Sequence, residues 1–393
     1  MIESADAGLP LRRAFLRVGG KALVRHQFDL ANAMGCERII CMSRAMDPEL
    51  IGLQHAAEAA GRRFHVISSP QELAGLVTAR DELFVFSEGL LAPSAEAQAM
   101  LERGDAVLVQ PADTGVSAGF ERLDAHHASA GLMRVPGRLI ENLFELPPDC
   151  DVASALTRIA LQAGVAKRDI PPFEESVAPW EMVTSESEAY AVESDWLARQ
   201  VQHHGGPATP GRIVARFGVA MFGSSLLHTG GAARATALSM ALVMVLGLVA
   251  AWLGSIVAGL LLGAIAWMLL CAVQLFDRIE SPETGTSRDS GRRIELLGWL
   301  LDIELVVLMV WGMQAGSSQP LLQLMFAPVL LVLLVRLFPR VVAGSVARWI
   351  ADRSVFASVL ALCVAVGVLP ELTRILAVIV VVAAIAFTAE KRG

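Results

Sequence analysis

The sequence predicts a soluble, doubly wound α/β domain of roughly two hundred residues followed by an all-α polytopic membrane domain of about six transmembrane helices. Three observations predict it. Mean hydropathy is +0.54, too apolar for an ordinary soluble protein of 393 residues. The excess is uneven, because charged residues recur every few positions up to about Arg234, whereas from Ala235 onward the chain is Leu, Val, Ala and Ile with charges in short islands. Ahead of that boundary, short apolar runs alternate with helical patterns.

In the soluble half, Arg38 to Met42 reads as a strand, Pro48 to Ala60 as a helix, Phe64 to Ile67 as a strand and Gln71 to Ala79 as a helix. Leu83 to Phe86 and Ala106 to Val109 read as further strands around a helix from Ser94 to Arg103. This alternation predicts a mostly parallel sheet covered by helices. The start, MIESADAGLPLRR, carries acids and no apolar core segment, which argues against a cleaved signal peptide and leaves insertion to the internal helices. Gly205 to Gly211 is a linker by composition. Arg212 to Leu227 sets basic residues beside an apolar face, which suits a helix lying in the membrane interface or one packed on the soluble domain. The expected divisions are 1–205 for the α/β domain, 206–232 for the linker and juxtamembrane helix, and 233–393 for the membrane domain.

A bilayer core takes roughly 20 apolar residues per helix. Six stretches qualify or nearly qualify: Ala235 to Leu253, Ser255 to Phe276, Leu296 to Met313, Leu321 to Leu337, Val355 to Leu369 and Leu372 to Thr388, the last two divided by a turn at Pro370-Glu371. Charge placement fits the count, since short cytoplasmic loops collect Lys and Arg. Arg278, Arg288, Arg292 and Arg293 fall in one inside connection, Arg340, Arg348 and Arg353 in another, and Lys391 and Arg392 end the chain, while GMQAGSSQP between the third and fourth spans is uncharged. The expected location is the bacterial inner membrane, with both termini cytoplasmic.

Net charge is -7 and no block of Lys and Arg is long enough for a nucleic-acid footprint, so nucleic acid is not an expected partner. Cys36, Cys41, Cys150, Cys271 and Cys363 are scattered without CxxC pairing, and read as reduced or membrane-buried thiols. His126-His127 and His203-His204 are adjacent pairs, not spaced to share a helix face, and read as surface residues.

The run Val18-Gly19-Gly20-Lys21-Ala22-Leu23, followed by Gly35-Cys36-Glu37-Arg38-Ile39-Ile40, resembles the nucleotidyltransferase pattern in which a GGKPLL turn precedes a helix and a strand. That family has a Gly-rich phosphate-cradling loop just before the turn; here the preceding segment is Pro10 to Arg17, without it. The family's metal-binding Asp corresponds to the Ser87-Glu88-Gly89 stretch, where Glu88 is an acidic stand-in or a solvated loop residue. Trp180 to Thr184 resembles the family's closing segment, with Thr184 kept and its aspartates lost. The resemblance therefore implies a nucleotidyltransferase-like shell that neither turns over nor tightly binds CTP.

Ionisable residues at or within a span are costly and usually functional. Asp302 and Glu304 lie in the third span; Asp277 and Glu280 close the second, three apart and so on one helical face. Asp277, Glu280 and Gly298-Trp299-Leu300-Leu301-Asp302 resemble the CDP-alcohol phosphatidyltransferase family, whose DxxDGxxAR and GxxxDxxxD elements hold divalent metals that position an in-line displacement. The resemblance implies Asp277, Glu280 and Asp302 as catalytic and metal-binding residues for Mg²⁺ or Mn²⁺, with Arg288, Arg292 and Arg293 as phosphate contacts or as topology determinants. It departs from the pattern at Ser281 and Val306, which stand where the family has Gly and the fourth Asp, and in the missing Ala-Arg pair. The order of the two halves is similar to the bifunctional inositol-1-phosphate cytidylyltransferase/CDP-inositol phosphotransferase proteins. Two expectations follow: a phosphotransferase of polar-lipid synthesis, moving a substituted phosphate from a CDP-linked alcohol donor to an alcohol acceptor, or a catalytically inactive relative that acts as a membrane scaffold or regulator without cofactor. Membrane lipid is the expected partner, with a homodimer as a candidate assembly. A small-solute transporter would carry an internal repeat of broken helices, which the sequence lacks. Without metal, Asp302 would be an uncompensated charge whose replacement by Asn is neutral or stabilising.

Overall fold

The computed structural model describes residues 12–43, 45–147, 150–171, 179–204, 206, 208–280, 287–314, 320–342 and 344–390. The chain forms two compact units, Met1–Arg199 and Gln200–Gly393.

The first unit is α/β. Hairpin strands β1 (Arg17–Val18) and β2 (Lys21–Ala22) are joined by Gly19 and Gly20, both at positive φ (63° and 76°), as a two-residue hairpin turn requires. A Cβ on Gly19 would lie 2.4 Å from the Trp196 ring, so the glycine also admits that side chain. The chain continues through α1 (Leu23–Ala33), β3 (Arg38–Met42), α2 (Pro48–Ala59) and β4 (Arg63–Ile67). Here β3 and β4 are parallel with α2 as the crossover, the unit that the alternating pattern predicts. The expected helix from Gln71 to Ala79 is instead a 3₁₀ turn, Pro70–Leu73, followed by Gly75 at φ 85°. Then come β5 (Glu82–Phe86), β6 (Leu90–Leu91), α3 (Ser94–Leu101), β7 (Ala106–Pro111), α4 (Ala112–Ser117), β8 (His127–Pro136), α5 (Val152–Gln162), β9 (Ala166–Asp169), β10 (Glu181–Met182) and α6 (Glu186–His204).

The main sheet has the order β5-β8-β7-β9, with β8 antiparallel to β5 and β7 and β9 parallel to β7. It is mixed, which corrects the mostly parallel expectation: β8, which the sequence reading did not identify, runs against both neighbours. Short β6 pairs with β10, and β3-β4 forms a separate sheet. Both larger sheets are covered by the same layers. Ile40 and Met42 of β3 and Leu83 and Val85 of β5 pack on one core with Met133, Val135 and Leu156. On the other side Ile39 and Cys41 pack on α1 and α2, and Phe84 and Phe86 on α3.

The second unit is helical: α7 (Pro210–Leu227), α8 (Ala232–Trp252), α9 (Ile256–Glu280), α10 (Ser287–Gln314), α11 (Leu321–Val341), α12 (Ser345–Ile350), α13 (Arg353–Val366) and α14 (Leu369–Glu390). Among the described residues, four helices are long and apolar enough to cross a membrane: Ala232–Trp252, Ile256–Glu280, Gly291–Gln314 and Leu321–Pro339. Their polarity is that of a lipid-facing bundle. In α8, Thr236, Met240, Gly247 and Ala251 face inward, while Leu238, Leu242, Val245 and Leu246 face outward. The core joins α8 to α14 through residues such as Leu260, Leu305, Leu331, Leu360 and Ala377. The expected turn at Pro370-Glu371 falls earlier: Gly367, at φ 79°, caps α13, and Pro370 sits in the first turn of α14, where its missing N–H is not needed.

Candidate functional site

Two of the three acids predicted to share a metal, Glu280 and Asp302, have separate structural partners. Glu280, at the end of α9, accepts a hydrogen bond through Oε1 from the Ala232 N–H at 2.7 Å. Gly231, the residue ahead of α8, has no side chain to cap that helix, and the Glu280 carboxylate takes the part at its positive end. Asp302 is buried and bridges two helices. Arg336 Nη1 donates to its Oδ2 at 2.5 Å and Arg353 Nε to its Oδ1 at 3.1 Å. The guanidinium of Arg336 lies 3.7 Å from the centre of the Trp299 ring, and that of Arg353 5.4 Å from that of Trp267. Two cations on one carboxylate are what a metal would otherwise supply. Asp302 is thus compensated, which corrects the expectation that without metal it would be an unpaired charge.

Asp277 is half-buried, and its side chain makes no hydrogen bond or ion pair among the described residues. No group of three His, Cys, Asp or Glu among the described residues is arranged to hold a metal ion. Among the described residues, Asp277, Glu280 and Asp302 are thus not gathered into one group. Arg292 and Arg293 are exposed on the early turns of α10, and the Arg288 side chain lies outside the described residues. Glu304, the other acid of this helix, is buried, with neither carboxylate oxygen hydrogen-bonded among the described residues.

In the first unit, Glu88 is half-buried and its Oε1 accepts from the Ala14 N–H at 3.2 Å, tying the loop after β5 to the 3₁₀ turn Arg13–Phe15. Thr184 donates to Glu188 Oε2 through its N–H at 2.8 Å and its hydroxyl at 2.6 Å, a local bracket at the start of α6. Glu88, the acidic stand-in or solvated loop residue of the sequence reading, and Thr184, kept in the closing segment, thus both have structural partners. His126 is exposed, and His127 sits beside Asp124, 3.0 Å away, at the start of β8.

The structure assembles a different charged cluster in the membrane unit. Arg212, Ala215 and Arg216 of α7 and Cys271, Gln274, Leu275 and Arg278 of α9 line one cleft. Each set has helical i, i+3, i+4 spacing, so each forms a single stripe. The start of α7 is pinned by the Gly211 N–H, which donates to Asp352 Oδ2 at 2.9 Å, while Asp352 also caps α13. A Cβ on Gly211 would come within 2.8 Å of Ser354 Oγ and Trp267 Cδ1, so only glycine permits this approach. Arg216 donates to the Gly206 carbonyl, and its Nε is buried without a partner among the described residues. The cavity is only about 20 Å³, room for a group the size of a single water. Three arginines and no acid line this cleft, so its character is basic.

Comparison with protein-family models finds no match, and comparison with curated protein sequences finds none either.

Proposed function

We propose that the chain is a membrane-embedded binding protein, a scaffold or regulator without phosphotransfer at its acids, whose arginine cleft takes at its mouth a single phosphate oxygen of an anionic lipid or phosphorylated alcohol. The observation that supports this reading most is the partnership of Asp302 with Arg336 and Arg353, beside the lack, among the described residues, of any group of three His, Cys, Asp or Glu arranged to hold a metal ion. The arginine cleft would supply the binding function, since Arg212, Arg216 and Arg278 line it without an acid beside them, and a phosphate oxygen accepts charge-assisted hydrogen bonds from such groups. In this reading the six apolar helices α8, α9, α10, α11, α13 and α14 all span the bilayer, and the α/β unit and the C-terminus lie on the cytoplasmic side, where the loop arginines collect. The α/β unit keeps a nucleotidyltransferase-like order without nucleotide turnover.

Native mass spectrometry of the full chain from nanodiscs containing phosphatidylglycerol, phosphatidylinositol or phosphatidylcholine tests the cleft, with inositol phosphate as the soluble probe. Retention of a phosphate ligand should fall about tenfold or more in Arg212→Gln/Arg278→Gln, since a hydrogen bond to a charged group contributes about 1.5–3 kcal/mol. Equal retention by wild type and variant would remove the reading.

A second reading, the CDP-alcohol phosphotransferase, is favoured by Asp277, whose side chain is uncommitted beside the cleft residue Arg278. Metal-dependent CMP release from a CDP-linked alcohol, lost in Asp277→Asn, would establish it.

A further inference from the structure

Two helices of the membrane unit begin at one carboxylate. Asp352 is the N-cap of α13, where its Oδ1 accepts from the Ser354 N–H at 2.9 Å and from the Ser354 hydroxyl at 2.5 Å. Its Oδ2 accepts from the Gly211 N–H in the first turn of α7, at 2.9 Å and 141 positions away in the chain. Thr209 stands at the N-cap of α7, yet its side chain makes no cap there and is hydrogen-bonded to Asp352 instead. One buried side chain thus caps both helices, and the positive ends of two helix dipoles meet one anion. The approach is close: a Cβ on Gly211 would lie 2.9 Å from Asp352 Oδ1. The rest of α7 fixes its own register weakly. It packs on α9 and α13, and buries Gly211, Ala215, Val219, Gly223 and Leu227, a stripe mostly of small residues that brings backbones close but offers few ridges to interlock.

We infer, on the reading of the arginine cleft as a phosphate site, that Asp352 is the positioning residue of that cleft: by capping α7 and α13 together it holds α7 in place on α9 and sets the spacing of Arg212 and Arg216 from Arg278. Arg212 directly follows Gly211, and Arg216 stands one helical turn further on. Both line the cleft with Arg278 of α9, whereas Asp352 does not line it and acts through α7 alone. Like charges repel, and more strongly where water is excluded, so three arginines around one cleft favour a shift of α7 away from Arg278. The shared cap opposes that shift. Asp352 is free for this task because its neighbour Arg353, and not Asp352, is tied to the ion bridge at Asp302.

Hydrogen–deuterium exchange and native mass spectrometry of the full chain in phosphatidylglycerol nanodiscs test this with three variants. Asp352→Ala removes both caps, Gly211→Ala displaces α7 from an intact Asp352, and Ser354→Ala weakens the α13 side while the Gly211 bond stays. Asp352→Ala and Gly211→Ala should each speed exchange of the Ile213–Arg216 amides and lower phosphatidylglycerol retention by about fivefold or more, the scale of a lost helix cap. The amides of Leu260–Leu270 in α9 should stay protected, which separates a displaced α7 from an unfolded bundle; if Asp352→Ala loses that protection, Gly211→Ala decides. Ser354→Ala should lower the thermal midpoint and leave retention unchanged. Wild-type retention in Asp352→Ala and Gly211→Ala, beside lost retention in Arg212→Gln/Arg278→Gln, would overturn the inference and leave the phosphate reading standing. Equal loss in Ser354→Ala would also overturn it, since any weakening of α13 would then suffice. A wild type that retains no more lipid than the double arginine variant removes both.

Discussion

Asp302 and Glu304 show how two carboxylates on one helix can have opposite energetics. Both are buried, yet Asp302 faces two guanidinium groups and Glu304 none among the described residues. An uncompensated acid within a span is destabilising, so Glu304→Met should leave the thermal midpoint of the purified chain unchanged or higher. A fall of several degrees would mean that Glu304 has a partner in the membrane. His26 gives the α/β unit a pH dependence. Its Nε2 contacts the Val18 carbonyl oxygen at 2.9 Å, tying α1 to the β1-β2 hairpin, and desolvation by burial holds its pKa below the usual 6.5. The unfolded chain then takes up the proton first, so this contribution is complete above about pH 6.5 and is lost as pH falls from there toward the folded-state value. Thermal midpoints at pH 7.5 and 5.5 should therefore converge in His26→Gln relative to wild type; an equal pH difference in both would contradict it. None of these partnerships was legible in the sequence. Arg336 and Arg353 lie 34 and 51 positions from Asp302, and the Ala232 amide lies 48 from Glu280. A motif-based reading sees the acids and not what neutralises them.

Element packing in the membrane unit depends on glycine. A Cβ on Gly259 of α9 would stand 2.8 Å from the Gly247 carbonyl oxygen of α8, and backbone cannot yield as a flexible side chain can. Gly259→Val should therefore separate α8 from α9 and destabilise the unit by about 1–3 kcal/mol. Guanidinium unfolding followed by helical circular dichroism should register the loss, and an unchanged midpoint would show that the helices part without penalty. Periodicity revealed most elements: β3, α2, α3 and the helices α8 to α11 fall where apolar spacing places them. It failed where local sequence and tertiary context diverge. Strand β8 is the middle of the main sheet, but its HASAGLMRVP sequence is rich in small residues and interrupted by Gly131 and Arg134, so its burial comes from its neighbours and not from its own hydropathy. The arginine cleft escaped for a related reason. Its two stripes, Arg212 to Arg216 and Cys271 to Arg278, are each readable as helix faces, but only the fold brings them together.

At the scale of the whole molecule, the chain combines an α/β unit with a helical unit in which four of the described helices are long and apolar enough to cross a membrane. The proposed topology puts the α8–α9 turn outside and the start of α10 inside. In a chain with its native cysteines replaced, Ser255→Cys should react with an impermeant thiol reagent applied to intact cells and Arg293→Cys should not; the reverse pattern would invert the arrangement. The central claim is that Asp302, buried in α10, is a structural ion bridge and not a metal ligand. Thermal unfolding of wild type and Asp302→Asn, each with and without Mg²⁺ or Mn²⁺, tests it most directly. Removing one partner of a buried ion cluster costs about 3–5 kcal/mol, so the account predicts a wild type indifferent to metal and a variant that unfolds at clearly lower temperature in every condition. A wild type stabilised by metal, beside a variant that has lost that response and is otherwise as stable as the metal-free wild type, would contradict it.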